Sequence, residues 1–314
     1  MKIVFFGSSH FAVPALEALI KNHYQVSAVV TQPDKKKGRH LHLASTDVKS
    51  VASQAGLEVF QPEEINSSDS IKYLKNLCAD LFVVVAYGQI LAQAILNIPK
   101  IFSINIHASL LPKYRGAAPI NWAIIKGEKS TGVTVIKLVR KMDAGPMLLQ
   151  KEIPIDEIDD SVILEDKLRR LGAELLVDTI KSVENKTYQL TVQDEEGIVM
   201  APKLKRTDGC IDWNKPAVKI YNLVRGCLPW PGAFTHYKGK LLKICETEMI
   251  LRVDGFTGRQ AGEILSIRKD GLLVMAGEGA LLIKELQLEG GNRMTAKEFV
   301  QGHKINLGER FIKK

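Results

Sequence analysis

IFSINIHASLLP, residues 101–112, has the pattern of a strand that ends in a proline-tipped turn. Residues 101–107 are rich in β-branched and apolar side chains, which is typical of a buried strand. Asn105 and His107 are two residues apart, so both project from the same face of that strand. An amide and an imidazole are costly to bury without partners, and open α/β sheets carry their sites where strands end. The stretch therefore predicts an α/β sheet with an amide donor beside a titratable base at one strand end.

The sequence on either side of this strand alternates between strand and helix patterns. The predicted strands are residues 2–6, 24–31, 57–60, 80–86, 101–107, 132–138 and 147–155, and the predicted helices are residues 11–22, 50–55, 71–77, 119–126 and 160–183. This alternation is typical of a doubly wound, mostly parallel sheet, so we expect a Rossmann-like α/β fold. The first turn carries Gly7 alone instead of G-x-G-x-x-G, so we predict no NAD site.

From about residue 207 the pattern changes to short strands separated by glycine turns. The predicted elements there are a helix at 217–225 and strands at 240–245, 262–268, 271–276 and 280–288. Such a region favours a small OB-like β-barrel, and the polar residues that precede it are typical of a linker. We therefore predict an α/β catalytic domain at 1–188, a linker at 189–206 and a barrel domain at 207–314.

The positive charge is concentrated in the C-terminal third of the chain. The net charge is +8 over 314 residues. Residues 203–314 hold 20 basic and 12 acidic side chains, which accounts for the whole excess. A basic barrel beside a neutral α/β domain indicates that one domain does chemistry and the other meets a polyanion. A merely well-solvated surface is the alternative reading of the same charge.

The spacing of the cysteines and the length of the apolar runs argue against a structural zinc site and against a membrane-spanning protein. Cys78, Cys210, Cys227 and Cys245 form no C-x-x-C pair, so we expect reduced thiols and no structural zinc. His40 and His42 have no third ligand nearby, and no metal is predicted. No apolar run approaches the ~20 residues that cross a bilayer. A strand pattern directly after Met1 leaves no room for a targeting segment, so we expect a cytoplasmic protein.

A carboxylate completes the candidate catalytic set. Asp143 lies in the turn 141–145 between two predicted strands, so it belongs to a strand end. A carboxylate beside a histidine orients the imidazole and favours its charged form. Each residue alone has an ordinary structural explanation, and only the set of Asn105, His107 and Asp143 points to chemistry.

The motif N-x-H-x-S-L-L-P-x-Y-R-G-x-x-P at residues 105–119, followed by Asp143, resembles the folate-dependent formyltransferases. This resemblance implies 10-formyltetrahydrofolate as the formyl donor, catalysis by Asn105, His107 and Asp143, and no metal. It also implies that the turn after the strand lines the folate site. The residues of that turn are Ser109, Leu110, Leu111 and Pro112.

Segments of the C-terminal region are similar to the barrel domain of the methionyl-tRNA formyltransferases within that group. They are residues 203–204, 211–213, 224–226, 229–234, 286–290 and 294–299. The resemblance implies that the protein formylates the α-amine of initiator methionyl-tRNA for translation initiation in bacterial-type cytoplasm. We expect a monomer without a membrane partner.

A basic loop resembles the start of that family's tRNA-contacting insertion. Residues 31–34 read TQPD, and Gly38-Arg39 follows. By this resemblance Arg39 is the candidate tRNA contact, and Lys35, Lys36 and Lys37 assist electrostatically. Two departures are visible. The first turn reads GSSHF at 7–11 where the family has Gly-Thr-Pro-(Asp/Glu)-Phe, and residues 41–42 read LH where paired lysines are usual.

Three other functions remain open from the sequence. A sugar-nucleotide formyltransferase would share the catalytic set, but a small acceptor needs neither the basic loop nor the basic barrel. An RNA-binding protein with an inactive α/β domain would have no reason to keep Asn105, His107 and Asp143 together. A formyltetrahydrofolate hydrolase would not need a basic barrel.

Overall fold

A computed structural model describes residues 1–37, 42–252 and 258–313 of the chain. It divides into two compact units. The N-terminal unit comprises residues 1–119, 130–154 and 165–201, and the C-terminal unit comprises residues 120–129, 155–164 and 202–314. Residues 189–201 of the predicted linker thus belong to the N-terminal unit. The functional domain boundaries given in the sequence analysis stay predictions. Within the described part of the chain, no helix is both long and apolar enough to cross a membrane.

Seven strands of the N-terminal unit form one sheet, and two more form a separate hairpin. The strands are β1 (Lys2–Gly7), β2 (Gln25–Val30), β3 (Lys35–Lys37), β4 (His42–Ala44), β5 (Val59–Phe60), β6 (Leu81–Val85), β7 (Phe102–His107), β8 (Ser130–Lys137) and β9 (Met147–Pro154). The sheet order is β5-β2-β1-β6-β7-β8-β9. Its first five strands pair in parallel, and β8 pairs antiparallel with both β7 and β9. The expected Rossmann-like, mostly parallel sheet is confirmed.

The helices follow the predicted alternation. They are α1 (Val13–Lys21), α2 (Asp47–Gln54), α3 (Ser68–Asn76), α4 (Gln93–Leu96), α5 (Pro119–Lys126) and α6 (Ser161–Glu184). Thr46 and Ser67 begin α2 and α3 because each hydroxyl accepts a backbone N–H of the first turn. The predicted helix at 11–22 is instead a short 3-10 turn at His10–Ala12 followed by α1. The reason is local: Pro14 has no N–H to donate and favours the first turn of a helix.

Burial explains why the central strands have no polar face. Residues 3–6 of β1 are fully buried, and so are residues 81–83 of β6. Strands covered on both faces in this way are nearly continuous apolar runs. The carboxyl ends of β1, β6 and β7 therefore remain the places on this sheet where polar side chains can gather.

The C-terminal unit is an antiparallel sheet with two helices of its own. Its later elements are α7 (Ala217–Gly226), β10 (Ala233–Tyr237), β11 (Lys240–Ile250), β12 (Ile264–Arg268), β13 (Gly271–Met275), β14 (Ala280–Leu288), β15 (Met294–Thr295) and α8 (Ala296–Gly302). The sheet order is β10-β11-β14-β13-β12, with β15 paired to β14. The core includes Trp213, whose indole N–H donates to the Thr235 hydroxyl at 3.0 Å.

The last residues of the chain close this sheet. Ile312 exchanges two backbone hydrogen bonds of 3.0 Å with His236 on β10. Arg310 pairs with Glu263, directly before β12. Since β10 and β12 are the two edges of the sheet, the segment that carries Arg310 and Ile312 covers both edges. The small barrel expected from the sequence is confirmed, and its closing segment was not foreseen.

Candidate active site at the end of β7

Strand β7 places two polar side chains where the parallel sheet ends. Asn105 pairs in register with Val84 of β6 and Ile136 of β8, and His107 pairs with Thr134 of β8. The two side chains lie on one face of β7, as the sequence predicts. His107 is 6% exposed, whereas Asn105 is half-buried.

The His107 ring is held by a backbone carbonyl. Its Nε2 lies 2.9 Å from the carbonyl oxygen of Tyr114. A carbonyl only accepts, so Nε2 carries the hydrogen and donates it. The other ring nitrogen, Nδ1, lies 3.7 Å from Oδ1 of Asp143. The position where this imidazole gains or loses a proton therefore faces the carboxylate.

Asp143 is oriented by the loop that follows β7. Its Oδ2 accepts the backbone N–H of Gly116 at 2.9 Å, which leaves Oδ1 toward His107. Asp143 has φ of +49°, a left-handed conformation in which Asp is one of the better-tolerated residues. Gly116 has φ of +126°, and a Cβ there would lie 2.6 Å from the Ala201 carbonyl oxygen. Glycine at 116 is thus required for this approach to the carboxylate.

The turn at 109–112 is organised by the hydroxyl of Thr134. This hydroxyl donates to the Ser109 carbonyl at 2.7 Å and accepts the Leu111 backbone N–H at 3.1 Å. The Ser109 hydroxyl donates to the Lys113 carbonyl at 2.6 Å. Ser109 and Leu111 are buried in the turn, whereas Leu110 and Pro112 are half-buried. Their apolar surfaces are therefore the part of this turn that a ligand can touch.

The Asn105 amide differs from its neighbours in its hydrogen bonding. Among the described residues, none hydrogen-bonds this side-chain amide. A half-buried NH₂ without a partner, beside an imidazole and a carboxylate, can donate to a ligand oxygen while the other two groups hold or move a proton.

Two buried polar residues close to this set were not recognised as site residues from the sequence. Arg115 is 4% exposed and Gln193 is 5% exposed. The side chains contact each other, 78 positions apart in the chain. Arg115 lies inside the quoted motif, but Gln193 lies in the predicted linker, where only its burial in the fold distinguishes it.

Three of the four basic residues predicted to meet tRNA lie in the β3–β4 hairpin. Lys35, Lys36 and Lys37 form β3, which pairs with β4, and the Lys35 side chain is exposed. Arg39 lies outside the described residues. The base of the hairpin is fixed by Asp34, which accepts hydrogen bonds from Lys49 at 2.7 Å and Gln61 at 2.8 Å. The Lys49 ammonium, helped by the Gln61 amide, holds the pKa of the Asp34 carboxyl below its usual range.

The unusual first turn has partners of its own. His10 Nδ1 lies 3.5 Å from Oδ2 of Asp47, and its Nε2 lies 2.5 Å from a guanidinium nitrogen of Arg169. The Ser8 hydroxyl donates to the Tyr87 carbonyl at 2.9 Å and accepts the Gln32 backbone N–H at 3.0 Å. Ser8 and His10, two of the residues at which the turn departs from the family pattern, thus have polar partners in this fold.

Two protein-family models match the chain. The model for formyl transferase matches residues 1–180. The model for the formyl transferase C-terminal domain matches residues 203–304. Together they match most of both structural units.

Proteins of similar sequence match almost from end to end. The methionyl-tRNA formyltransferase of Acetivibrio thermocellus is 47% identical over 98% of this chain and 99% of its own length. The methionyl-tRNA formyltransferase of Thermodesulfovibrio yellowstonii is 48% identical over 98% of this chain and 97% of its own length.

Solved structures with this architecture are more distant in sequence. An N-formyltransferase from Helicobacter canadensis, in complex with folinic acid and dTDP-3-aminofucose, has a TM-score of 0.68 at 20% identity, covering 90% of this chain and 98% of that one. HypX from Aquifex aeolicus, in complex with tetrahydrofolic acid, has a TM-score of 0.66 at 17% identity, covering 98% of this chain and 50% of that one. At these identities the likeness shows the fold alone.

Proposed function

The chain belongs to the formyl transferase family, and from this we propose that it transfers the formyl group of 10-formyltetrahydrofolate to the α-amine of initiator methionyl-tRNA. The product is N-formylmethionyl-tRNA, with which bacterial translation begins in the cytoplasm. The relatives named methionyl-tRNA formyltransferase support this acceptor, since they match both units at 47% and 48% identity. Sugar-nucleotide formyl transfer remains the second candidate, because the fold is shared with an enzyme bound to an amino-sugar nucleotide.

The arrangement of three polar side chains is the main observation that supports formyl transfer. The Asn105 amide, which no residue in the described part of the chain hydrogen-bonds, lies two residues from His107, whose Nδ1 is 3.7 Å from Asp143. Formyl transfer between two nitrogens needs a donor for the oxygen that becomes negative and a group that accepts a proton from the attacking amine. The three side chains meet both needs from a single chain, so one copy suffices and we propose a monomer.

The folate co-substrate supplies the formyl group as a reactive amide. We expect its flat ring system to use the accessible apolar surfaces of Leu110 and Pro112, beside the strand end. The Ser109 hydroxyl and the Leu111 side chain act indirectly, because both are buried inside the turn that presents those surfaces.

Asn105, His107 and Asp143 have different roles in the proposed reaction. The Asn105 amide donates to the formyl oxygen as it gains negative charge, and His107 donates from Nδ1 when that nitrogen is protonated. Asp143 holds the imidazole in this orientation, and its negative charge faces the positive charge that His107 gains during the reaction. As the bond from the amine nitrogen to the formyl carbon forms, His107 takes the amine proton at Nδ1, the ring nitrogen that faces Asp143. When the bond from the formyl carbon to the folate nitrogen breaks, the same proton passes from His107 to the leaving nitrogen.

A comparison of two acceptors tests the proposed function. The enzyme is supplied with 10-formyltetrahydrofolate and, in separate reactions, methionyl-tRNA or a dTDP-linked amino sugar, and the formylated product is followed by mass spectrometry. We expect transfer to the aminoacyl-tRNA alone. Transfer to the sugar nucleotide alone would replace the proposal with the second candidate, and release of formate with neither acceptor would indicate a hydrolase.

Binding of tRNA should depend on the hairpin charges. We expect affinity to fall steeply as salt rises, because each neutralised phosphate contributes about −0.7 to −0.9 to the slope of log affinity against log salt. Replacing Lys35, Lys36 and Lys37 together by alanine should lower both the affinity and that slope. The matched control replaces Lys21, Lys72 and Lys75 by alanine. These substitutions remove the same charge from exposed positions on α1 and α3. Equal effects of the two triple variants on tRNA affinity would refute a local role for the hairpin.

A further inference from the structure

The side-chain amide of Gln193 uses its full hydrogen-bonding capacity inside the N-terminal unit. Its Oε1 accepts from Nε of Arg115 at 3.0 Å and from Nη2 at 2.7 Å. Its Nε2 donates to the carbonyl oxygens of Asp143 at 2.8 Å and Gly145 at 2.7 Å. A primary amide can make four such bonds, and all four partners here belong to the two loops that shape the candidate active site.

The backbone around Gln193 is paired on both sides. Thr191 exchanges two backbone hydrogen bonds with Met147, at 2.8 Å and 2.9 Å. Farther along, the Ala201 N–H donates to the Arg115 carbonyl at 2.7 Å, and the Arg115 N–H donates to the Val199 carbonyl at 2.9 Å. The segment 191–201 thus spans from the start of β9 to the loop after β7, and Gln193 sits between the two anchors.

These contacts fix Asp143 at both its backbone carbonyl and its side-chain carboxylate. Gln193 holds the Asp143 carbonyl directly, and Arg115 precedes Gly116, whose N–H holds the carboxylate. Asp143 is in the left-handed region, a conformation that costs a non-glycine residue about 1–2 kcal/mol unless its surroundings impose it. Gln193 supplies that constraint at the peptide group which sets the direction of the Asp143 side chain.

We propose that Gln193 is a positioning residue of formyl transfer, which holds the Asp143 loop against Arg115 so that the carboxylate faces His107. This inference rests on the proposed function for its catalytic consequence. The claim that Gln193 holds the Asp143 loop depends only on the four hydrogen bonds of its side chain. Gln193 does not touch the reacting atoms in this proposal and acts only through Asp143.

An amide is needed at this position because the two loops make opposite demands. The guanidinium of Arg115 requires an acceptor, whereas two buried carbonyl oxygens require donors. A glutamate of the same shape keeps the contact with Arg115 but cannot donate, and its charge repels both carbonyls. Gln193→Glu therefore releases the Asp143 loop while a buried ion pair with Arg115 keeps the segment in place.

The experiment compares Gln193→Glu and Gln193→Met with Val192→Ala. Val192 is the neighbouring residue, 83% exposed, and serves as the control. We expect Gln193→Glu to lower kcat about 10²-fold, since a displacement of a catalytic group by about 1 Å can have that effect. KM for both substrates and the unfolding temperature should stay near the wild-type values. Gln193→Met should show the same loss of kcat, and Val192→Ala should show none.

A second readout needs no activity. Hydrogen exchange measured by mass spectrometry should be faster in Gln193→Glu at the Gly116 amide and in peptides covering 141–147, and unchanged elsewhere. If the wild-type enzyme formylates no methionyl-tRNA, the proposed function fails, and the exchange experiment still decides the role of Gln193. Wild-type kcat with wild-type exchange, or an activity loss that only follows global unfolding in both variants, would overturn the proposal.

Discussion

His107→Gln is expected to slow formyl transfer by about 10²–10³-fold, the usual effect of removing one donor to a developing oxyanion. The glutamine amide can still donate to the Tyr114 carbonyl that now accepts from Nε2 at 2.9 Å. It offers nothing in place of Nδ1, which faces Asp143 at 3.7 Å. The loss should therefore appear in the chemical step and not in the fold or in substrate binding.

The measurement for His107→Gln is single-turnover transfer with both substrates bound in advance, together with separate titrations of folate and tRNA. His23→Asn is the matched control, because His23 is an exposed histidine with φ of +57°, which asparagine tolerates. A His107→Gln enzyme with the wild-type transfer rate would remove the imidazole from the mechanism. Loss of tRNA binding with normal transfer would assign His107 a different role.

Asp143→Asn is expected to reduce the transfer rate by about 10²–10⁴-fold, the range attributed to a positioned acid–base group. The asparagine oxygen can keep the Gly116 N–H, and asparagine tolerates the left-handed backbone at this position. The amide that then faces Nδ1 of His107 has no negative charge, so nothing offsets the positive charge that the ring gains during transfer. The variant thus removes the charge and keeps the shape.

The control for Asp143→Asn is Asp69→Asn, which neutralises an exposed carboxylate in the first turn of α3. Transfer rates and unfolding temperatures of both variants should be compared with those of the wild-type enzyme. Unfolding temperatures close to wild type with a slow Asp143→Asn enzyme support an electrostatic role. Equal, wild-type rates in the two variants would show that the Asp143 charge is dispensable.

The central sheet was predictable because the sequence of each strand has a recognisable strand pattern. Residues 80–86 and 101–107 are apolar or β-branched runs, and they form β6 and β7 with ends shifted by one residue at most. Hairpin strand β3 could not be found in this way, since three consecutive lysines have low strand propensity and the pairing is made by backbone groups. The closing segment with Arg310 and Ile312 is likewise held by backbone bonds to distant strands.

The candidate site was visible in part. Asn105 and His107 share a strand face by simple alternation, so their proximity follows from the sequence. Asp143 was linked to them first by its place in a turn between two predicted strands and then by the family motif, and the fold brings its carboxylate to 3.7 Å from the imidazole. Gln193 carried no such signal, because a polar residue in a polar stretch gives no sign of burial and its partners lie 48 to 78 positions away.

The double variant His107→Gln/Asp143→Asn tests whether the imidazole and the carboxylate act as one unit in formyl transfer. Its single-turnover transfer rate is measured beside those of the two single variants, with both substrates bound. Because Asp143 acts through His107, we predict a double variant no slower than the slower of the single variants. Losses that multiply would mean that each group works independently, with Asp143 taking the amine proton by itself, and would contradict the mechanism.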